Sequence, residues 1–233
     1  MSSRHPAGLL SDGGQPEGDD VTIDDGIREA TAAERREQVA LYGSLTDEQW
    51  NAPSLCAGWR VREVLAHTTM PFRYSTGRVL RGMLRARGSF DRFADRAAHH
   101  DATSMSPAEL VTSLRDNVDT EWSPPGGGPL GALSHDVIHG LDVSVALGLD
   151  DRHASPERCA LVLSGLRPKQ LRLFGVDLTG VRLRATDADW SYGDGEVVEG
   201  RAQDLLVAVC GRRQPAGRLS GPAAERLSAG SPG

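Results

Sequence analysis

Lysine is almost missing from this chain: Lys169 stands alone, and arginine carries the rest of the positive charge. With 32 acidic against 26 basic residues, the formal net charge is −6. No basic footprint of the kind that nucleic acid demands is present. Cysteine is equally sparse. Cys56, Cys159 and Cys210 form no CxxC pair and are odd in number, which argues against a disulfide framework and for a reducing compartment. No run of roughly 18 apolar residues occurs, so no membrane span is predicted. The opening MSSRHPAGLLSDGGQPEGDD has no apolar segment of signal-peptide length. Together these absences predict a cytoplasmic protein with neither membrane nor nucleic acid as partner; its oligomeric state is not encoded legibly. At 233 residues the chain has room for one large domain or two small ones.

The first 24 residues are rich in Gly, Pro, Ser and Asp, and are predicted to form a disordered tail. From residue 25 the pattern turns helical, in IREATAAERREQVALYGSL. A long connection with Trp50, Pro53, Gly58 and Trp59 follows. A second helix is predicted from Val61 to Arg87, kinked beside His67 because Pro71 has no N–H for the His67 carbonyl. A third starts at Ser106, with Pro107 at its first position and Glu109 completing a capping box. A fourth runs from about Leu130 to Gly148, before DDRHASPERCALVLSGL suggests another. Beyond it, VRLRATDADWSYGDGEVVEG alternates like strand, with a hairpin predicted at GDG, and RAQDLLVAVCGRR reads as a helix stopped by Gly211. The predicted architecture is α+β: an antiparallel four-helix bundle over 25–150, a small α+β domain over 155–225, and a loose tail over 226–233.

The chemistry concentrates in GALSHDVIHGLDVSVALG. His135 and His139 are spaced i, i+4 and share one helix face. Taken alone, such a pair is as often two surface histidines as a ligand pair. Here His135, His139, Asp142 and Ala146 form one stripe, with Leu130, Leu133, Val137, Leu141 and Val145 roughly opposite. A helix apolar around most of its circumference is buried on several sides, and buried imidazoles need partners. His67, in VREVLAHTTM, would supply a third ligand from another helix, leaving the open position typical of a catalytic metal. By itself His67 is more often a hydrogen-bonded core histidine. No cysteine has an adjacent histidine or basic cluster marking it as a nucleophile.

The motifs SLCAGWRVREVLAHTTM, HGLDVSVALG and RLRATDADWSYG…DLLVAVCGR, in that order, resemble the mycothiol-dependent maleylpyruvate isomerase family of actinobacteria. The first domain of that family is a DinB-like four-helix metalloprotein fold, and the second a small α/β, sterol-carrier-like domain. The resemblance covers about residues 27–225. It implies a divalent metal, usually zinc, on His67, His135 and His139, with mycothiol as thiol cosubstrate and a small electrophile as substrate. One departure stands out: the isomerase pattern has a carboxylate where this chain has His135. Three neutral ligands leave the full charge on the metal, which favours ionising a bound thiol or water.

The implied activity is a thiol-dependent isomerase or S-transferase. Asp142, the aspartate of HGLD, would orient an imidazole or pair within the bundle, and Glu63 is a weaker candidate for the same task. Arg212 would reach substrate carboxylates from the second domain, since a guanidinium fork suits them. A zinc-dependent hydrolase or amidase, and a non-catalytic small-molecule-binding or regulatory protein, fit the same residues.

Overall fold

A computed structural model describes residues 17–149 and 155–228. The helices are α1 (Glu17–Gly43), α2 (Asp47–Asn51), α3 (Val61–Thr68), α4 (Met70–Arg73), α5 (Thr76–Arg85), α6 (Phe90–Ser104) and α7 (Pro107–Arg115). Then come α8 (Gly128–Ser144), α9 (Pro156–Ser164) and α10 (Pro168–Leu173). Strands β1 (Val181–Ala185), β2 (Ser191–Tyr192) and β3 (Glu196–Gly200) precede α11 (Ala202–Val209) and α12 (Glu225–Ser228). No helix among the described residues is long and apolar enough to cross a membrane.

Four helical rods form the bundle: α1, the α3–α5 segment, the α6–α7 segment and α8, with α1 packed on α8 and α3 on α6. Its core holds Leu41 and Tyr42, Trp50, Val61, Val64 and Leu65, Leu110 and Leu114, and Val143. Burying each such aliphatic side chain contributes roughly 1.5–3 kcal/mol. Trp50 anchors α2 by stacking on Tyr42 at 5.5 Å between ring centroids. Ser106 and Glu109 cap α7 reciprocally, as their spacing predicts.

Four expectations are corrected. Residues 17–24 open the first helix rather than belonging to the tail, and 226–228 are helical too; residues 1–16 and 229–233 lie outside the described residues, with His5, as do 150–154 with His153. The predicted 61–87 helix is three pieces, because Pro71 interrupts the ladder after His67 and the chain bends again before Ser75, which caps α5. Helix α6 was not foreseen: its core face is mostly alanine, Ala94, Ala97, Ala98 and Ala102, too weakly hydrophobic to mark a stripe. Finally, GDG does not close a hairpin. The sheet order is β2-β1-β3, with β1 antiparallel to β2 and parallel to β3. The chain crosses from one edge of β1 to the other, which places Val198 in the same core as Val181 and Leu183.

Helix α8 joins the two halves. Its Leu133, Val137, Leu141 and Val145 enter a second core with Cys159, Val162 and Leu163 of α9 and Leu205, Leu206 and Val209 of α11. Its other face meets α1 closely at Gly140, where a Cβ would lie 2.8 Å from Gln38 Nε2. That amide donates to the Asp136 carbonyl at 2.7 Å and to Glu34 Oε1 at 2.9 Å. Sandwiched in this way, α8 turns its polar stripe toward α3.

Candidate metal centre

His67 comes from the last turn of α3, His135 and His139 from successive turns of α8. One ring nitrogen from each lies within 4.8 Å of the others, and His67 Nε2 is 3.3 Å from His135 Nε2. The far nitrogens of the α8 pair are held by carboxylates. His135 Nδ1 is 2.9 Å from Asp136 Oδ1, and His139 Nδ1 is 3.0 Å from Asp142 Oδ2. A carboxylate that accepts a hydrogen bond from Nδ1–H keeps the proton there and leaves Nε2 with its lone pair inward, the arrangement of a ligating histidine. Burial, followed by the two other imidazoles, holds the His67 imidazole well below its ordinary pKa. Burial lowers His139 as well, against the pull of Asp142. His67 and His139 are therefore neutral near pH 7.

The geometry passes a fit test for a divalent ion. Bonds of about 2.0–2.1 Å at the tetrahedral angle separate two ligand nitrogens by about 3.3 Å, which is the observed His67–His135 spacing. His67 Nδ1 is buried without a partner. Were Nε2 to donate to His135, Nδ1 would keep an unsatisfied lone pair; were Nδ1 protonated, two lone pairs would face each other. A cation between the Nε2 atoms resolves the second case. Glu63 does not help His67, because Arg60 takes its carboxylate through the backbone N–H and Nε at 2.9 and 3.0 Å.

Asp142 is the hub of the surrounding network. It accepts from His139, from the Cys56 thiol at 2.9 Å, and from Arg212 Nε and Nη2 at 2.8 and 3.2 Å. Burial would raise its pKa, but the His139 hydrogen bond and the Arg212 charge outweigh that and hold it at about 2. Arg212 thus does reach the site, though two of its donors are spent on Asp142. Its position follows from the end of α11. Gly211 adopts φ +69°, and the Gly211 and Arg212 N–H groups return to the Ala208 and Val207 carbonyls at 2.9 and 3.2 Å. This Schellman closure turns the chain back onto α8. Gly211→Ala would place a Cβ 2.6 Å from the Phe174 carbonyl oxygen. The left-handed backbone alone costs an L-residue roughly 1–2 kcal/mol, so this variant is expected to melt several degrees lower, as thermal unfolding would report.

Cys56 is the residue that sequence reasoning missed. In the chain it has no histidine or basic neighbour; in space it lies 3.8 Å from His139 Nδ1 and accepts from Arg212 Nη2 at 3.5 Å. The 52–60 connection folds on itself through Val61 N–H to Ala52 O and Ser54 N–H to Trp59 O, and docks by Leu55 N–H to Asp142 O at 2.8 Å. Only SLCAGWRV, within the family resemblance, signalled this. Burial first, then Asp142, push the Cys56 thiol far up despite Arg212, so it serves as a protonated donor. Cys210, pushed up to about 12 by burial, is a core residue. The same connection lays Trp59 over the site, 5.0 Å from His67 and 6.4 Å from His139, while Trp122 packs on His135 at 5.2 Å. His99 and His100 stay exposed on α6.

A helical bundle with a three-histidine cluster between facing helices, continued by a small α/β part, defines the DinB-like class with a C-terminal extension. Residues 31–129 match the family model described as the mycothiol maleylpyruvate isomerase N-terminal domain. His67 lies inside the matched stretch; His135 and His139 follow it. A crystal structure of the mycothiol-dependent maleylpyruvate isomerase superposes with a TM-score of 0.59 at 14% identity, covering 86% of this chain and 93% of that one. A histidine-to-alanine mutant of that isomerase gives 0.54 at 12% identity over the same shares. At these identities the likeness is one of fold. No curated protein matches the chain in sequence.

Proposed function

We propose that this protein is a mycothiol-dependent enzyme, an isomerase or S-transferase, whose divalent metal is held by His67, His135 and His139. The observation that carries this reading is the 3.3 Å approach of the His67 and His135 Nε2 atoms, with carboxylates on the outer nitrogens of the α8 pair. Zinc suits the all-imidazole set and is the default on availability. When bound, such an ion favours the ionised form of a thiol at its open position.

The chain's own residues do the rest. Asp136 and Asp142 fix the tautomer and the orientation of His135 and His139. Trp59 and Trp122 wall the cluster and limit water. Arg212 keeps Nη1 for a substrate carboxylate, a single-edge contact that positions charge. In the isomerase reading, a thiolate adds to one carbon of a cis double bond conjugated to a carbonyl. That carbon–carbon bond becomes single and turns; the sulfur then leaves with its electron pair as the trans double bond reforms. The thiol is regenerated. In the transferase reading the sulfur stays and another group departs.

The test is turnover of maleylpyruvate, and of a panel of electrophiles, with and without mycothiol, before and after chelation. Activity requiring both thiol and metal is the expected result. Thiol-independent cleavage of amides or esters would identify a hydrolase instead, and a well-folded protein that takes up no metal would leave a binding module.

A further inference from the structure

A cleft of about 420 Å³ opens between the first half of α1 and the 116–127 loop that leads into α8. Positions 28, 32, 35 and 36 of α1 form one face of it, as i, i+4, i+7 and i+8 spacing requires; Trp122 and Glu121 face them from the loop. Two ion pairs tie its walls, Arg36 to Asp119 at 2.9 Å and Arg28 to Glu121 at 3.7 Å. Arg35 lies deepest, with its side chain 1% exposed. Its Nε donates to Asp136 Oδ2 at 2.7 Å, and its Nη1 to the carbonyls of Asn117, Val118 and Thr120. Its Nη2 is buried with no partner. The cleft adjoins the histidine cluster in two ways. Trp122 lines it and also packs on His135, and Asp136 binds Arg35 with one oxygen and His135 with the other.

The lining selects a ligand class. Three guanidinium groups and the carboxylates of Glu29, Asp119 and Glu121 cancel in charge, which opposes a strong anion and a strong cation alike. An apolar guest would strand those groups without water. A ring bearing many hydroxyls offers each hydroxyl as both donor and acceptor, satisfying both kinds of wall, and turns its C–H face to an indole. The volume falls within the range of small-molecule sites, about 300–1,000 Å³.

We propose that this cleft binds the sugar–cyclitol body of the thiol cosubstrate, whose cysteine end then passes Trp122 to reach the histidines. This rests on the thiol-dependent reading above. The experiment is calorimetric titration of the metal-loaded full chain with glucosaminyl-inositol, the thiol's body without its cysteine, and with intact mycothiol. Arg28→Gln combined with Glu29→Gln changes two exposed side chains remote from the histidines, so metal content and circular dichroism are expected to stay unchanged. The fragment is expected to bind the wild type, and the double variant to weaken both ligands about tenfold or more, since hydrogen bonds to charged groups are at stake. Mycothiol binding that is equal in wild type and variant overturns the cleft assignment but leaves thiol dependence standing. Fragment binding that the variant abolishes, beside turnover indifferent to mycothiol, supports the cleft as a polyol site and overturns thiol dependence. No binding of either ligand overturns both.

Discussion

Asp142→Asn is expected to lower stability by about 3–5 kcal/mol, the usual result of removing one partner from a buried charge pair. The asparagine oxygen can serve at most part of a set that now includes His139, Cys56 and two donors of Arg212. Its amide would point hydrogens at donors, and the half-buried Arg212 would be left without a counter-charge. In a protein of this size each kcal/mol moves the melting temperature by about 2–4 °C, so a fall on the order of 10 °C is expected. The effect is linked to pH. The folded carboxyl titrates at about 2 against an ordinary value of 3.8, so its stabilising contribution is complete above about pH 4 and disappears as pH falls toward 2. The gap between wild type and variant should therefore narrow over that window. Melts of metal-free protein from pH 7 to pH 2.5 would show it; a gap that stayed constant would remove Asp142 from its place as charge hub.

His139→Ala is expected to take bound metal from about one ion per chain to near zero, because a site with three protein ligands does not survive on two. Turnover should fall to background with it. Asp136→Asn, which loosens the hold on His135 and also takes the counter-charge from buried Arg35, should weaken metal affinity about 10–100-fold and lower the melting temperature as well, while leaving a loadable site. His99→Ala, on the exposed face of α6, should change neither quantity. Elemental mass spectrometry on the four proteins, followed by competition with a chelator, separates these cases. Equal metal content in wild type and His139→Ala would place any bound metal elsewhere.

The histidine pair on α8 was legible because it rests on local rules, whereas His67 joined it only through the family resemblance. Residues four apart on a helix share a face, and the apolar residues around His135 and His139 mark that helix as buried. The α7 cap and the Gly211 stop were legible for the same reason, since a cap involves residues only three or four positions apart. The break after His67 followed from one missing N–H at Pro71. The strand order was not legible. Nothing in GDG states whether the following strand returns to its neighbour or crosses β1, because that choice depends on which edge lets Val198 share a core with α11.

The sequence by itself determined the helix faces, the caps and the imidazole pair of His135 and His139, since helical spacing is a short-range consequence of backbone geometry. Only the tertiary structure decided what surrounds them. Cys56, Asp142 and Arg212 meet across separations of 86 and 70 residues, through a docked loop and the turn after α11. Asp136 holds Arg35 across 101 residues. Such contacts obey no sequence period. They form because burying α8 between α1, α3 and the α9–α11 layer leaves its carboxylates without water, and arginine and thiol donors from distant segments supply the hydrogen bonds that water no longer can.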